Sequence, residues 1–286
     1  MSTESTARLA RPGRTVRTVV SHVLLGLVAL LFLAPVLYAV ATALKPPGET
    51  FTSPPSLMGS ELRWRNFADV FDYLPFQRFI LNGLLVATVG TVVVLAASSL
   101  GAYAFARLRW RGREGLFVVF LATLMVPQEV LVVPMFILMQ EFGWVNSFQA
   151  LIFPWAFTAF GTFLLRQFFR GIPYELQEAA TLDGCSPLRT FLSVMLPIAR
   201  PALGVLAVFT FINYWNSFLW PLITVNDINS LGTVPVGLSL FFGQNGDHWH
   251  LVMAASVISL VPTLLLLIAL QKHLVKGIAA TGIAGR

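Results

Sequence analysis

Six long stretches of this chain each contain at most one charged residue, and each is long enough to cross a membrane as a helix. They are 18 to 27 residues long, and about 20 apolar residues span roughly 30 Å of hydrocarbon. Strands that cross a membrane are much shorter, so these runs favour helices. The predicted spans lie at about residues 19–44, 80–106, 116–140, 148–165, 201–226 and 249–271.

The composition supports a membrane protein over a soluble one. Of 286 residues, 56% are hydrophobic and 11% are charged, whereas a soluble protein carries about 25% charged residues. The single cysteine, Cys185, excludes an intrachain disulfide and a cysteine-rich metal site. On so apolar a chain, the excess of basic residues predicts contact with membrane lipid and no nucleic-acid partner.

The distribution of Lys and Arg predicts the orientation in the membrane. With the N-terminus inside, 15 of the 19 basic residues fall in cytoplasmic segments, which positive charge favours. We therefore expect an all-α polytopic protein of the cell membrane with six transmembrane helices and both termini cytoplasmic. Arg107, Arg109, Arg111 and Arg113 form a basic turn that is expected to contact lipid headgroups.

The regions around the spans complete the predicted organisation. The first run is longer than the apolar region of a secretory signal, about 7–15 residues, so we expect an uncleaved first helix. A transmembrane core is expected at 80–272. The remaining segments are a cytoplasmic N-terminal tail at 1–18, an extracytoplasmic loop at 45–79, a long cytoplasmic loop at 166–200 and a cytoplasmic tail at 273–286.

The long loop between the fourth and fifth spans carries the most specific pattern. Pro173 and Glu178 favour the start of a helix, and Gly184 favours its end. Ser186 is suited to capping a second helix. The loop is therefore predicted to form two short helices with a sharp turn between them. The second helix is expected to present one apolar face, formed by Leu188, Phe191, Leu192 and Met195.

This loop resembles the EAA loop of ATP-binding-cassette importer permeases. The resemblance rests on Glu178-Ala179-Ala180, then Asp183-Gly184, then Leu196-Pro197. Other segments are similar to the carbohydrate-uptake branch, in particular to the second permease of maltose-type importers. These segments are Gly101–Arg107, Met125–Pro127, Phe163–Phe169 and Trp215–Leu222.

The resemblance implies a type I importer permease fold and a specific set of partners. Such a subunit forms half of the translocation pathway for a sugar or oligosaccharide. It works with a second homologous permease, an ATPase dimer and an extracytoplasmic solute-binding protein. ATP and Mg²⁺ bind to the ATPase, and this chain lacks the Gly-x-x-x-x-Gly-Lys-[Ser/Thr] loop. We expect no catalytic, cofactor or metal site on the chain itself. The alternatives are a permease for glycerol phosphate or another polar solute, or an ion-coupled secondary transporter.

The resemblance also assigns roles within residues 166–200, which we call the coupling loop. Glu178 is the polar anchor to the ATPase, Ala179 and Ala180 are close-contact residues, and Asp183 and Gly184 form the turn. The chain ends in a glycine-containing tail that departs from the motif with which similar permeases reach into the ATPases. Insertion of the tail is therefore left open.

Polar residues within the spans are the candidates for the translocation path. Glu129 lies in the third span, where a carboxylate is costly and functional by default. It has three possible roles: pairing inside the bundle, lining a solute path or relaying protons. Asn213, Trp215 and Asn216 lie in the fifth span. Amide and aromatic groups suit a sugar path, but they also serve helix packing.

Overall fold

The computed structural model describes most of the chain and divides it into two compact units. The described segments are residues 12–52, 56–243 and 246–283. Part of the predicted N-terminal tail and the last three residues lie outside them. The two units are the chain up to Phe67 with His248–Val257, and Ala68–Asp247 with the chain from Ile258 onward.

Fifteen helices account for most of the described residues. In chain order they are α1 (Pro12–Ala43), α2 (Asn66–Tyr73), α3 (Phe76–Arg107), α4 (Arg113–Ala122), α5 (Gln128–Glu141), α6 (Phe148–Ile152), α7 (Ala159–Gly171), α8 (Glu175–Leu182), α9 (Pro187–Thr190), α10 (Leu196–Ile198), α11 (Arg200–Trp215), α12 (Leu219–Thr224), α13 (Ile228–Leu231), α14 (Val234–Ser239) and α15 (Trp249–Ile283). Single turns of other helix types occur at Thr123–Met125, Phe153–Trp155 and Phe191–Met195, the last a π-helix. Two short strands, β1 (Phe242–Gly243) and β2 (Gly246–Asp247), pair antiparallel.

The helices provide between three and six membrane spans within the described residues. Thr18–Ala43, Phe76–Arg107 and Trp249–Lys272 are each long and apolar enough to cross a membrane alone. Three further helix pairs qualify only when each bent pair is taken as one span. The all-helical membrane fold expected from the sequence is confirmed at this level.

Three of the predicted spans are broken. Within 148–165, the helices on either side of residues 156–158 meet at 48°. Within 116–140, the helices on either side of Val126 and Pro127 meet at 101°. Proline lacks an N–H and disfavours a helical residue before it, and Val126 is extended, with φ −85° and ψ 116°. Within 201–226, α11 ends at Trp215 and α12 starts at Leu219. Asn216 and Ser217 lie at this break, and residues of these types are less favourable inside a helix than at its ends.

In the first unit, the chain after α1 folds back onto the end of that helix. The Asn66 side-chain amide donates to the carbonyls of Ala43 at 2.7 Å and Lys45 at 2.8 Å. The buried Lys45 ammonium donates to the Ser56 carbonyl at 2.6 Å. These bonds order the first part of the predicted loop at 45–79.

In the second unit, α3 is the central helix and packs against both α7 and α11. Close packing is possible because α3 carries small residues at the contacts. A Cβ added at Gly90 would lie 2.7 Å from the Tyr214 ring of α11. The Tyr214 hydroxyl donates to the Ile152 carbonyl at 2.7 Å, so the ring is held in place. The α3–α11 contact is therefore tightly constrained.

Candidate functional site

The coupling loop forms two helices joined by a sharp turn, as its sequence predicts. After α8, Gly184 has a φ of +76°, a left-handed conformation that favours glycine. The N–H groups of Gly184 and Cys185 donate to Thr181 and Ala180 carbonyls at 3.0 and 2.9 Å, which satisfies the end of α8. The Ser186 hydroxyl accepts a hydrogen bond from the next helix.

The residues assigned to ATPase contact differ in their exposure. Glu178, Ala179 and Asp183 are exposed, as is Gly184 in the turn. Ala180 is only 7% exposed and faces the interior of its own unit. Four of the five assigned residues are therefore accessible to a partner, and Ala180 belongs to the internal packing of the loop.

The apolar face predicted for the second helix is divided between two surfaces. Phe191 and Met195 are buried in a cluster with residues of α3 and α7. Leu188 and Leu192 are 59% and 52% exposed. Residues four apart share a helix face, so each pair lies on its own side. With Leu182, which is 89% exposed, the coupling loop presents three large apolar side chains to the outside.

A cavity of about 400 Å³ brings together three of the four candidate residues of the translocation path. Glu129 from α5 lines it with Asn213 and Asn216 from the end of α11. Among the described residues, Glu129 has no ion-pair partner. It lies in the first turn of α5, where the positive end of the helix dipole stabilises a carboxylate. The other lining residues are Gln128, Val132, Trp155, Ile212, Ser217, Phe218, Leu219 and Trp220.

The fourth candidate, Trp215, is placed elsewhere. It is 3% exposed and stacks on Phe211, with ring centroids 6.0 Å apart. Its indole N–H donates to the Ser259 carbonyl at 3.2 Å. A Cβ at Gly83 of α3 would meet the ring at 3.0 Å. Trp215 therefore joins helices and does not line the cavity.

Several residues of these sites were not found from the sequence. Trp155 places an aromatic ring beside the polar groups of the cavity, next to Trp220. Arg107, expected at a lipid-facing turn, is 4% exposed and donates to carbonyls at the end of α7. A signal for Arg107 exists in the sequence, because it lies one helical turn after Tyr103, directly after the apolar run at 80–106.

Comparison with known proteins shows the family of the chain. Residues 94–280 match the family described as binding-protein-dependent transport system inner membrane component. The chain belongs to this family. It is therefore a multi-pass membrane component of a transport system and not an enzyme, as the sequence predicted.

The curated relatives include permeases with different cargoes. The sn-glycerol-3-phosphate transport system permease protein UgpE of Pectobacterium atrosepticum is 35% identical over 90% of this chain and 94% of its own length. The arabinooligosaccharides transport system permease protein AraQ of Halalkalibacterium halodurans is 31% identical over 90% of this chain and 93% of its own. The trehalose/maltose transport system permease protein MalG of Thermococcus litoralis is 35% identical over 82% of this chain and 88% of its own.

A solved structure shares the fold. A chain of a bacterial ABC transporter involved in the import of the acidic polysaccharide alginate matches with a TM-score of 0.77 at 22% identity. The match covers 94% of this chain and 100% of that chain. This similarity supports the permease fold that the resemblance implied.

Proposed function

We propose that this chain is the permease subunit of an ATP-driven importer and forms half of the translocation pathway for a sugar or oligosaccharide. The coupling loop carries the proposal. It forms two helices whose glycine turn has the left-handed conformation and whose exposed surface combines Glu178 with apolar side chains. Such a surface suits docking to another protein. The partner that fits is an ATPase subunit, because the chain has no phosphate-binding loop of its own.

The cavity supports an uncharged polyhydroxylated cargo. Carboxylate and amide groups from Glu129, Asn213 and Asn216 hydrogen-bond to hydroxyl groups, and the Trp155 and Trp220 rings offer apolar faces to a sugar. Its lining residues, all within the described segments, include no Lys, Arg or His. A phosphate ester would face a carboxylate there without a compensating cation. Glycerol phosphate, the cargo named for the UgpE relative, is the second candidate.

The first helix supports a partner within the membrane. Every side chain from Thr18 to Tyr38 is exposed in this chain. Lipid or a second permease must cover this apolar surface.

The remaining partners bind outside the membrane, on the sides that the distribution of basic residues predicts. The termini and the coupling loop lie on the cytoplasmic side with the ATPase dimer, and a solute-binding protein docks on the opposite side.

The experiment is a pull-down of the tagged chain from its native membrane in mild detergent, followed by mass spectrometry. We expect a second permease, an ATPase and a solute-binding protein in the eluate. The binding protein is then titrated with neutral sugars and with glycerol phosphate by calorimetry. Tight binding of glycerol phosphate alone would overturn the sugar assignment.

A different eluate would contradict the importer itself. If the chain purified alone, and in liposomes an ion gradient drove solute transport without ATP, the chain would be a secondary transporter. Glu129 would then become the residue to test for proton relay.

A further inference from the structure

A buried arginine at the end of α3, Arg107, is bonded to the entry of the coupling loop. The Arg107 Nε donates to the Phe169 carbonyl at 3.1 Å, and its Nη2 donates to the carbonyls of Phe169 and Ile172. Both acceptors lie at the C-terminal end of α7, where carbonyls lack regular i+4 partners, and the Phe169 carbonyl also accepts from the Ile172 N–H at 3.2 Å. Arg107 therefore fixes this end of α7 with charge-assisted hydrogen bonds.

The same guanidinium group lies against the residue on which α8 begins. Its Cζ is 5.1 Å from the centroid of the Tyr174 ring, within the range of a cation–π interaction. The Tyr174 carbonyl accepts hydrogen bonds from the N–H groups of Gln177 and Glu178 at 3.0 and 3.1 Å. Arg107 thus holds Tyr174, the residue immediately before α8, whose carbonyl accepts the first hydrogen bonds of that helix.

The last turns of α3 also contact the second half of the coupling loop. Tyr103 lies one turn before Arg107, and its ring centroid is 6.3 Å from Phe169 and 5.1 Å from Phe191. Phe191 belongs to the helix after the glycine turn. Both halves of the coupling loop are therefore packed on the same end of α3.

Further along α3, the contacts lead to the cavity. Gly90 packs on Tyr214 and Gly83 packs on Trp215, and these rings belong to the helix that carries Asn213. Gly90 is about 26 Å from the last residue of α3, at 1.5 Å per residue. A close-packed core of this kind shifts between discrete arrangements and does not deform continuously.

We propose that Arg107 is a positioning residue for coupling. It holds the start of α8 on α3, so that displacement of the coupling loop moves α3 and, through its glycine contacts, the cavity helix α11. This inference rests on the proposed function, in which an ATPase displaces the loop. Without Arg107, the ATPase still docks on α8, but displacement of the coupling loop moves α3 less.

The test measures ATP hydrolysed per solute transported in the complex purified from its native membrane and reconstituted in liposomes. For Arg107→Gln we expect ATPase copurification and ATP hydrolysis within twofold of wild type. We expect transport to fall about tenfold, within the range typical of coupling between sites. The ATP-to-solute ratio then rises about tenfold, which a general loss of folded protein does not produce.

Two further variants separate geometry from charge. Arg107→Lys keeps the positive charge but loses the planar fork that binds two carbonyls and stacks on the ring. We expect it to lose transport at least fivefold, whereas a lysine that restores transport would overturn the proposal. The matched control is Arg111→Gln, which removes the same charge at an exposed position and is expected to transport within twofold of wild type.

The remaining outcomes are also decisive. Arg107 variants that reach the membrane but lose the ATPase would overturn the proposal, because Arg107 would then act in docking. If the Arg107 variants do not reach the membrane, Tyr174→Leu tests the proposal instead. It removes the ring but leaves the hydrogen bonds from Arg107 to the carbonyls of Phe169 and Ile172. A threefold higher ATP-to-solute ratio supports the proposal, and an unchanged ratio overturns it. Absence of an ATPase from the wild-type complex would instead contradict the proposed function.

Discussion

Replacing Gly90 with alanine tests the packing of the central helix directly. The added Cβ would lie 2.7 Å from two atoms of the Tyr214 ring, about 1 Å closer than carbon atoms pack at their optimum. The ring therefore has to withdraw. Its hydroxyl is held by the Ile152 carbonyl at 2.7 Å, and a shift of about 1 Å would lengthen this contact beyond the range of a normal hydrogen bond.

The expected cost has three parts. Overpacking of a core costs about 1–3 kcal/mol. A buried hydroxyl left without a partner costs about 1–3 kcal/mol. Alanine in place of glycine within a helix stabilises the helix by about 1 kcal/mol. We expect Gly90→Ala to lower the free energy of unfolding by about 3 kcal/mol, the middle of the resulting range.

The measurement is denaturation of the purified chain in mixed detergent micelles, followed by circular dichroism. Gly115→Ala is the matched control, because a Cβ there meets nothing within 4 Å. Tyr214→Phe removes the hydroxyl, so Gly90→Ala should cost about 1–2 kcal/mol less in that background, as expected of directly contacting residues. Equal stability of Gly90→Ala and Gly115→Ala would refute the reasoning.

Three further predictions concern other parts of the chain. Gly184→Ala forces a Cβ into a left-handed conformation at about 1–2 kcal/mol, which disfavours the native turn about 5–30-fold, so uptake should fall, whereas the unstrained control Gly171→Ala should retain it. Asn66→Ala removes two buried hydrogen bonds and should lower the stability of the first unit by about 2 kcal/mol, seen as faster proteolysis of residues 45–65. Ser186→Ala removes an N-cap worth about 1 kcal/mol and should speed amide hydrogen exchange in the second helix of the coupling loop.

The coupling loop was predictable because its determinants are local. Proline favours a helix start, glycine a left-handed turn and serine a cap wherever they occur. The structure accordingly ends α8 just before Gly184 and caps the next helix with Ser186. The division of the apolar face was not predictable, because periodicity does not tell which apolar residues meet the chain's own core and which remain exposed.

The cavity was not predictable, because its members come from helices far apart in the sequence. Glu129 lies just after the break at Val126, and Asn213 lies just before the break after Trp215. Both residues line the cavity. The length of an apolar run does not reveal such breaks. The polar residues within the spans were therefore predicted as candidates, but whether they lie together could not be predicted.

Arg107 shows how a correct chemical rule can give an incomplete prediction. The four arginines of the turn are chemically alike, so the sequence assigned all of them to lipid. A buried guanidinium is costly unless its donors are satisfied, and the carbonyls of Phe169 and Ile172 at the end of α7 accept its hydrogen bonds. The guanidinium and the carbonyls satisfy each other's hydrogen bonds, which offsets the cost of burying them. Arg107 is placed to make these bonds. It also places a fixed contact where the coupling loop begins, which a lipid-facing arginine does not provide.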